Sequence, residues 1–125
     1  MPLLQIAILS TIVLMLDMIY ITSIKEVFNN LIKGVQGSSI KLDLTATFLD
    51  YILIIFSIYY FIIQKKASIK DAMILGLCIY GIYELTNMAV LKLWKWEIVV
   101  IDSIWGSLLY GMSTYLYRAI IQKLI

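Results

Sequence analysis

Four carboxyl-bearing residues lie inside the four long apolar stretches of this chain, one in each: Asp17, Asp50, Glu84 and Asp102. A charged carboxylate at the centre of a membrane-spanning helix costs about 2.5–3.5 kcal/mol on insertion scales. Such groups therefore hold a proton, bind a cation or face water inside the protein. No lysine or arginine lies within any of the four stretches to neutralise them. Their chemistry predicts the binding of protons, cations or a cationic solute.

The composition places the chain in a membrane. Of its 125 residues, 62% are hydrophobic, whereas soluble domains average about 45–50%. An α-helix needs roughly 20 apolar residues to cross a hydrocarbon core of about 30 Å. Four runs without proline meet this requirement, at residues 3–22, 44–63, 72–91 and 98–117. These runs do not alternate apolar and polar residues as the strands of a membrane β-barrel do. We therefore predict one all-α transmembrane domain over residues 1–125, an integral membrane four-helix antiparallel bundle.

The four acids share one depth when successive helices alternate in direction. At 1.5 Å per residue, Asp17 and Glu84 lie about 8 and 10 Å before the ends of the first and third runs. Asp50 and Asp102 lie about 9 and 6 Å after the starts of the second and fourth runs. All four of these ends belong to the same membrane face. Asn87 belongs to this layer too, because it lies one turn from Glu84 on the same helical face.

Two interpretations of this layer stay open. In the first, the acids converge on one polar pocket, to which Tyr80 donates its hydroxyl because it lies one turn before Glu84. In the second, the acids hydrogen-bond across helices and hold the bundle together, at about 0.6 kcal/mol per contact. For Asp50, a position at the level of the lipid headgroups is a further alternative.

The connections between the runs differ in length. The short second and third connections, 64–71 and 92–97, force neighbouring helices to be antiparallel. The first connection, Ser23 to Asp43, is long and contains apolar residues at helical spacing before Gly34 and Gly37. This pattern predicts a short amphipathic helix at the membrane interface, and an ordered loop packed on the bundle is the alternative. The apolar residues are Val27, Phe28, Leu31, Ile32 and Val35.

Other side chains indicate anchoring and packing. Trp94 and Trp96 are typical of the aromatic belt at a membrane interface. Small residues four apart predict close helix packing, within the chain or in a dimer. They are Ala72 and Gly76 in the third run, and Ser103, Ser107 and Gly111 in the fourth.

The localisation and partners follow from these features. Lysine and arginine are nearly balanced between the two faces. The three lysines of the short second connection, Lys65, Lys66 and Lys70, favour both termini in the cytoplasm. The compartment is a plasma or inner membrane, or the internal membrane of a virion. Membrane lipids are expected partners, together with further copies of the chain or a larger membrane complex.

Several functional classes are disfavoured by what the sequence lacks. A single cysteine, Cys78, and no histidine leave little for a disulfide framework, a zinc site or a haem site. No cofactor is expected, and any metal would be a hard cation on Asp17, Glu84 and Asp102. The net charge of +2 without a basic cluster disfavours nucleic acid. No nucleophile motif supports an enzyme, and a lipid-modifying enzyme is the third, least favoured alternative.

The stretch from Tyr83 to Gly106 carries a recognisable pattern. It reads Tyr-Glu-Leu-Thr-Asn at 83–87, then Trp94 and Trp96, then Asp102 with Trp105 and Gly106. This order resembles the predicted membrane proteins of domain of unknown function 2177, which are small four-helix proteins with no assigned activity. They are mostly bacterial, and some occur in large viruses and algae.

The resemblance implies which positions matter. An acid followed by Thr86 and Asn87, the tryptophan-containing hairpin, and Asp102 with Trp105 match the family pattern, and Asp17 matches its first helix. The family usually has a tryptophan shortly after that first aspartate, where this chain has Ile19 and Tyr20. The second run matches only in hydropathy, so the resemblance adds nothing to Asp50.

Two functional hypotheses from different classes follow. The first is binding or transport of protons, cations or a small cationic or lipidic solute through an intramembrane acidic pocket. The second is a structural or accessory subunit of a membrane or viral assembly without transport activity. The pocket would be formed by Asp17, Tyr80, Glu84, Asn87, Asp102 and Trp105, with Asp50 and Thr86 as further candidates.

Overall fold

The computed structural model describes residues 2–37 and 43–124, which fold as four helices in succession. Helix α1 is Pro2–Gln36, and α2 is Leu44–Ile58 with a π-helical continuation, Tyr59–Ile63. Helix α3 is Ile69–Val90 and α4 is Trp96–Leu124. The described residues contain no strand. The prediction of an all-α bundle is confirmed.

Three helices are long and apolar enough to cross a membrane: α1, α2 with its continuation, and α3. Within the described residues, α4 does not reach the same hydropathy, so a fourth span at 98–117 stays a prediction. The mean hydropathy of α4 is lowered by its serine, threonine, glycine and tyrosine residues. Many of these side chains are buried by the other helices, Tyr110, Ser113 and Thr114 among them. A helix that faces protein on several sides needs less hydrophobic surface than one that faces lipid.

Helix α1 is longer than the first apolar run. The predicted span ends at Thr22, whereas the helix continues to Gln36 and is followed by Gly37, with φ +79°. The amphipathic segment is therefore helical, as the spacing predicts, but it continues α1 and is not a separate interfacial helix. Its residues Phe28 and Leu31 pack against the α3–α4 connection. Residues 38–42 of the predicted connection lie outside the described residues.

Glycines bring α3 and α4 into direct backbone contact. A Cβ atom at Gly76 would overlap the carbonyl group of Gly106, and one at Gly106 would overlap the ring of Tyr80. Gly111 is likewise covered by the side chain of Met73. The prediction of small-residue packing therefore holds for Gly76 and Gly111, within a single chain. This contact fixes the antiparallel pair α3–α4 as the most extensively packed part of the bundle.

The core below the acids joins all four helices. The Ser57 and Tyr110 hydroxyl oxygens lie 2.6 Å apart and connect α2 to α4. At the end of the bundle away from the acids, Arg118 donates to the carbonyl oxygens of Ile62 and Ala67 beside the π-helical segment. Buried apolar residues fill the space between these points: Leu9, Ile12, Val13, Ile54, Ile58, Ile62, Ala72 and Leu109.

Candidate functional site

Asp17 and Asp102 lie at the crossing of α1 and α4, where each accepts a hydrogen bond from an aromatic side chain of the other helix. Trp105 Nε1 donates to Asp17 Oδ1 at 2.9 Å, and the Tyr20 hydroxyl donates to Asp102 Oδ1 at 2.7 Å. Both aspartates are buried, with 6% and 8% of their surface exposed. The two helices are therefore joined by a reciprocal pair of buried hydrogen bonds to carboxyl groups.

The same spacing on both helices produces this arrangement. Tyr20 follows Asp17 by three residues on α1, and Trp105 follows Asp102 by three residues on α4. Residues three apart share a helical face, so each acid has an aromatic neighbour pointing the same way. The Tyr20 and Trp105 rings stack between the helices, with centroids 4.5 Å apart.

Asp17 also ties α2 to this crossing. The Tyr51 hydroxyl donates to Asp17 Oδ2, while Trp105 occupies Oδ1. Both carboxylate oxygens therefore have donors, one from α2 and one from α4. This is the cross-helix hydrogen bonding of the second interpretation, and it makes Asp17 a structural centre of the acidic layer.

Glu84 is the most deeply buried acid and is incompletely satisfied. It has no exposed surface. Trp94 Nε1 donates to Glu84 Oε1 at 2.8 Å, whereas Oε2 has no hydrogen-bond partner among the described residues. This fully buried acid is therefore held by a single donor from the α3–α4 connection.

A partly open cavity of about 640 Å³ lies beside these acids. All four helices contribute to its wall, α2 through Asp50 and Tyr51, and α3 through Tyr80. The buried Asp17 and Asp102 and the exposed Asp50 are its acidic lining residues. The remaining lining is mainly aliphatic and aromatic: Tyr20, Ile21, Ile24, Phe28, Ile54, Ile79 and Tyr83, with Ala46, Thr47 and Lys25.

The structure thus brings part of the predicted set together. Trp105 reaches the cavity wall through its hydrogen bond to Asp17, whereas Glu84 does not line the cavity. Asn87 and Thr86 do not line it. The Thr86 hydroxyl donates to the carbonyl of Ile82 on its own helix at 2.7 Å.

Three aromatic residues of the site, Tyr20, Tyr51 and Trp94, are not among the predicted site residues. Tyr20 and Tyr51 could have been found from their positions beside acids in the apolar runs. The interpretation of Trp94 as an interfacial belt residue is wrong, because this side chain is 5% exposed and binds Glu84. Trp96, at 60% exposed, has the exposure of a belt residue.

The described acids are not grouped as a metal ion would require. Among residues 2–37 and 43–124, no three Cys, Asp or Glu side chains lie close enough together to hold a metal ion. A hard cation would require several carboxylate oxygens converging on one point. The conditional assignment of a metal to Asp17, Glu84 and Asp102 therefore has no support.

Comparison with known proteins gives one match. A family model described as "Predicted membrane protein (DUF2177)" matches residues 3–118. No curated protein and no solved structure matches the chain. The match includes all of α2 and α3, most of α1 and α4, and every acid of the layer.

Proposed function

The chain belongs to this family of predicted membrane proteins, DUF2177, and we propose that it binds a small lipophilic cation in the acidic cavity and carries it through the membrane. This is a function in solute binding and transport. It gives the acids of the layer a ligand instead of a purely structural role.

The observation that carries the proposal is the composition of the cavity wall. Its volume of about 640 Å³ lies within the range of small-molecule sites, about 300–1,000 Å³. Such sites are mostly apolar with a few polar groups that orient the ligand. Here those polar groups are carboxyls at Asp17, Asp50 and Asp102, which favour a positive charge. The aromatic rings of Tyr20 and Tyr80 add faces that attract cations.

The one lysine in the lining does not cancel this preference. Lys25 is exposed and lies eight residues beyond Asp17 on α1, about 12 Å further along the helix. Its ammonium group can extend toward water while its alkyl chain lines the cavity. The three carboxyl groups thus face a cavity with no cation of its own at their depth.

Helix packing supports an entry route from the lipid. α2 packs only sparsely on α1, whereas α3 packs extensively on α4. The cavity wall includes residues of both α2 and α3, among them Thr47 and Tyr83. A lipophilic solute dissolved in the bilayer can therefore approach the acids between these two helices.

Binding of tetraphenylphosphonium, a lipophilic monovalent cation, tests the proposal. The purified protein in lipid nanodiscs is titrated by calorimetry, alongside Asp50→Asn and the control Asp71→Asn. Asp50 lines the cavity, whereas Asp71 is an exposed acid in the first turn of α3. Loss of one nearby charge should weaken binding about tenfold in Asp50→Asn, since charges a few ångströms apart at a protein surface interact by a few kcal/mol before screening. Asp71→Asn should bind like the wild type.

Two results would contradict this function. The first is the absence of saturable binding, and the second is equal affinity in all three proteins. A stable complex with another membrane protein in mild detergent, combined with no cation binding, would favour the accessory-subunit alternative.

A further inference from the structure

A second cavity, of about 360 Å³, lies along the outer face of the α3–α4 pair. Gly111 forms its floor, because this residue has no side chain and is flanked by Ile69 and Met73 of α3. The opposite wall belongs to α4 and extends from Leu108 to Leu116. The wall side chains are large and mainly apolar, yet each is at least 36% exposed. The cavity is therefore a groove that opens toward the acyl chains of the bilayer.

The length of the groove matches a single leaflet. Eight residues separate Leu108 from Leu116, which corresponds to about 12 Å along a helix axis. Half of a hydrocarbon core of about 30 Å is about 15 Å. The groove begins six residues after Asp102, so it lies in the half of the bundle away from the acidic layer. A hydrocarbon chain entering from that membrane surface can occupy the groove along its whole length.

A lysine of α3 lies beside the surface end of the groove. Lys70 is three residues before Met73, so the two side chains share a helical face. The neighbouring acid points elsewhere, because Asp71 is two residues from both Ile69 and Met73, a spacing that places side chains on opposite sides of a helix. The charge of Lys70 is therefore on the groove side of α3, and that of Asp71 is not.

A second lysine approaches the same end from α4. Lys123 lies seven residues after Leu116, two turns further along the same helical face. Helical side chains tilt toward the amino terminus of their own helix. Lys123, near the end of α4, thus leans back toward the groove, whereas Lys70, near the start of α3, leans toward the membrane surface. The two exposed ammonium groups therefore approach each other above the groove.

This end of the bundle is positively charged as a whole. Among the described residues, Asp71 is the one acid in the α2–α3 connection, the first turn of α3 and the last turns of α4. Lysines beside a membrane surface attract anionic lipids. The cations in these segments are Lys65, Lys66, Lys70, Arg118 and Lys123.

A second copy of the chain fits this groove less well than a lipid does. In a symmetric dimer each groove would face the same groove of the partner. The lysines of the two copies would then meet at one depth and repel each other. A phospholipid instead places a phosphate group between Lys70 and Lys123, while one of its acyl chains covers the apolar walls.

We propose that the groove binds one acyl chain of an anionic phospholipid, whose phosphate group is held between Lys70 and Lys123. The lipid comes from the leaflet that borders the α2–α3 connection. This site is separate from the acidic cavity and does not depend on the proposed function.

Binding of dioleoyl phosphatidylglycerol, compared with dioleoyl phosphatidylcholine, tests the proposal. The purified protein in mild detergent is titrated with each lipid, and bound lipids are counted by native mass spectrometry. The wild type should bind one phosphatidylglycerol more tightly than phosphatidylcholine. Lys70→Gln should weaken this binding about fivefold, the contribution of one lysine beside an anionic lipid surface, and loss of both lysines should weaken it about 25-fold. Glycerol phosphate, which has no acyl chain, should not bind.

Matched variants separate the groove from a general effect of charge or size. Lys92→Gln combined with Lys95→Gln removes two exposed lysines from the opposite end of the bundle and should bind like the wild type. Met112→Trp should prevent tight binding, because the indole fills the middle of the groove. Ile82→Trp, at a 67% exposed residue of α3 outside the groove, should bind normally. Size-exclusion chromatography verifies that each variant is folded.

Four results would overturn the lipid site. The first is equal affinity of the wild type for the two lipids, and the second is an equal loss in the variant without Lys92 and Lys95. The third is unchanged binding in a folded Met112→Trp protein, or binding of glycerol phosphate as tight as that of the lipid. The fourth is a dimer that excludes phosphatidylglycerol and is disrupted by Met112→Trp, which would assign the groove to a second copy.

Discussion

The ring of Tyr20 lies parallel to the indole of Trp105, with an interplanar angle of 3° and a centroid separation of 4.5 Å. Each residue donates to the aspartate that lies three positions before the other one. The stack and its two hydrogen bonds therefore form a closed unit that fixes how far α1 can slide or rotate against α4. The orientation of both aspartates toward the cavity depends on this unit.

Removing the Tyr20 hydroxyl should weaken the bundle while keeping the stack. Tyr20→Phe leaves the ring in place but removes the donor to Asp102. We expect the free energy of unfolding to fall by about 1–3 kcal/mol, the range for a buried charged group that loses its partner. Thermal unfolding in detergent measures this, with Tyr115→Phe, an exposed tyrosine of α4, as the control. Equal stability of the two variants would contradict the importance of the hydroxyl.

Substitution of Trp94 should lower the stability of the protein, whereas substitution of the nearby Trp96 should leave it almost unchanged. Trp94→Phe removes the recorded donor to the fully buried Glu84, so we expect a loss of about 2–3 kcal/mol from the unpaired acid and the smaller ring. Trp96→Phe affects an exposed side chain and should change stability by less than about 0.5 kcal/mol. Chemical unfolding followed by circular dichroism compares them. A larger effect of Trp96→Phe would show that burial at Trp94 is not what stabilises this end.

A methyl group at Gly106 should disrupt the α3–α4 pair. Gly106→Ala places a Cβ against the Tyr80 ring, whereas Gly34→Ala meets nothing within 4 Å. We expect Gly106→Ala to cost about 1–3 kcal/mol, the range for overpacking. Gly34→Ala should be neutral or stabilise by up to about 1 kcal/mol, because alanine favours the helix. Melting temperatures of both variants in the same detergent test this, and equal values would exclude close backbone packing at Gly106.

The layer of acids could be predicted because depth follows directly from helix geometry. A rise of 1.5 Å per residue and alternating helix direction suffice to place Asp17, Glu84 and Asp102 together. The lateral arrangement could not be predicted, because it depends on how each helix is rotated. For this reason the sequence places Glu84 and Asn87 in the pocket, but neither residue lines the cavity.

The sequence predicts too short a first helix, because hydropathy detects the edge of the membrane and not the end of a helix. Polar residues such as Lys25 and Glu26 end the apolar run but are good helix formers, so the helix continues past Thr22 to Gln36. Trp94 was misassigned for a related reason. The position of a tryptophan near a predicted membrane edge says nothing about whether a buried acid needs its N–H.

The contact between Gly76 and Gly106 limits how anything can travel past the acidic layer. With two backbones touching at that level, neither a water file nor an acyl chain fits along the α3–α4 seam. In the proposed function, a solute would therefore have to leave the acidic layer away from this seam, where side chains and not main chains surround it.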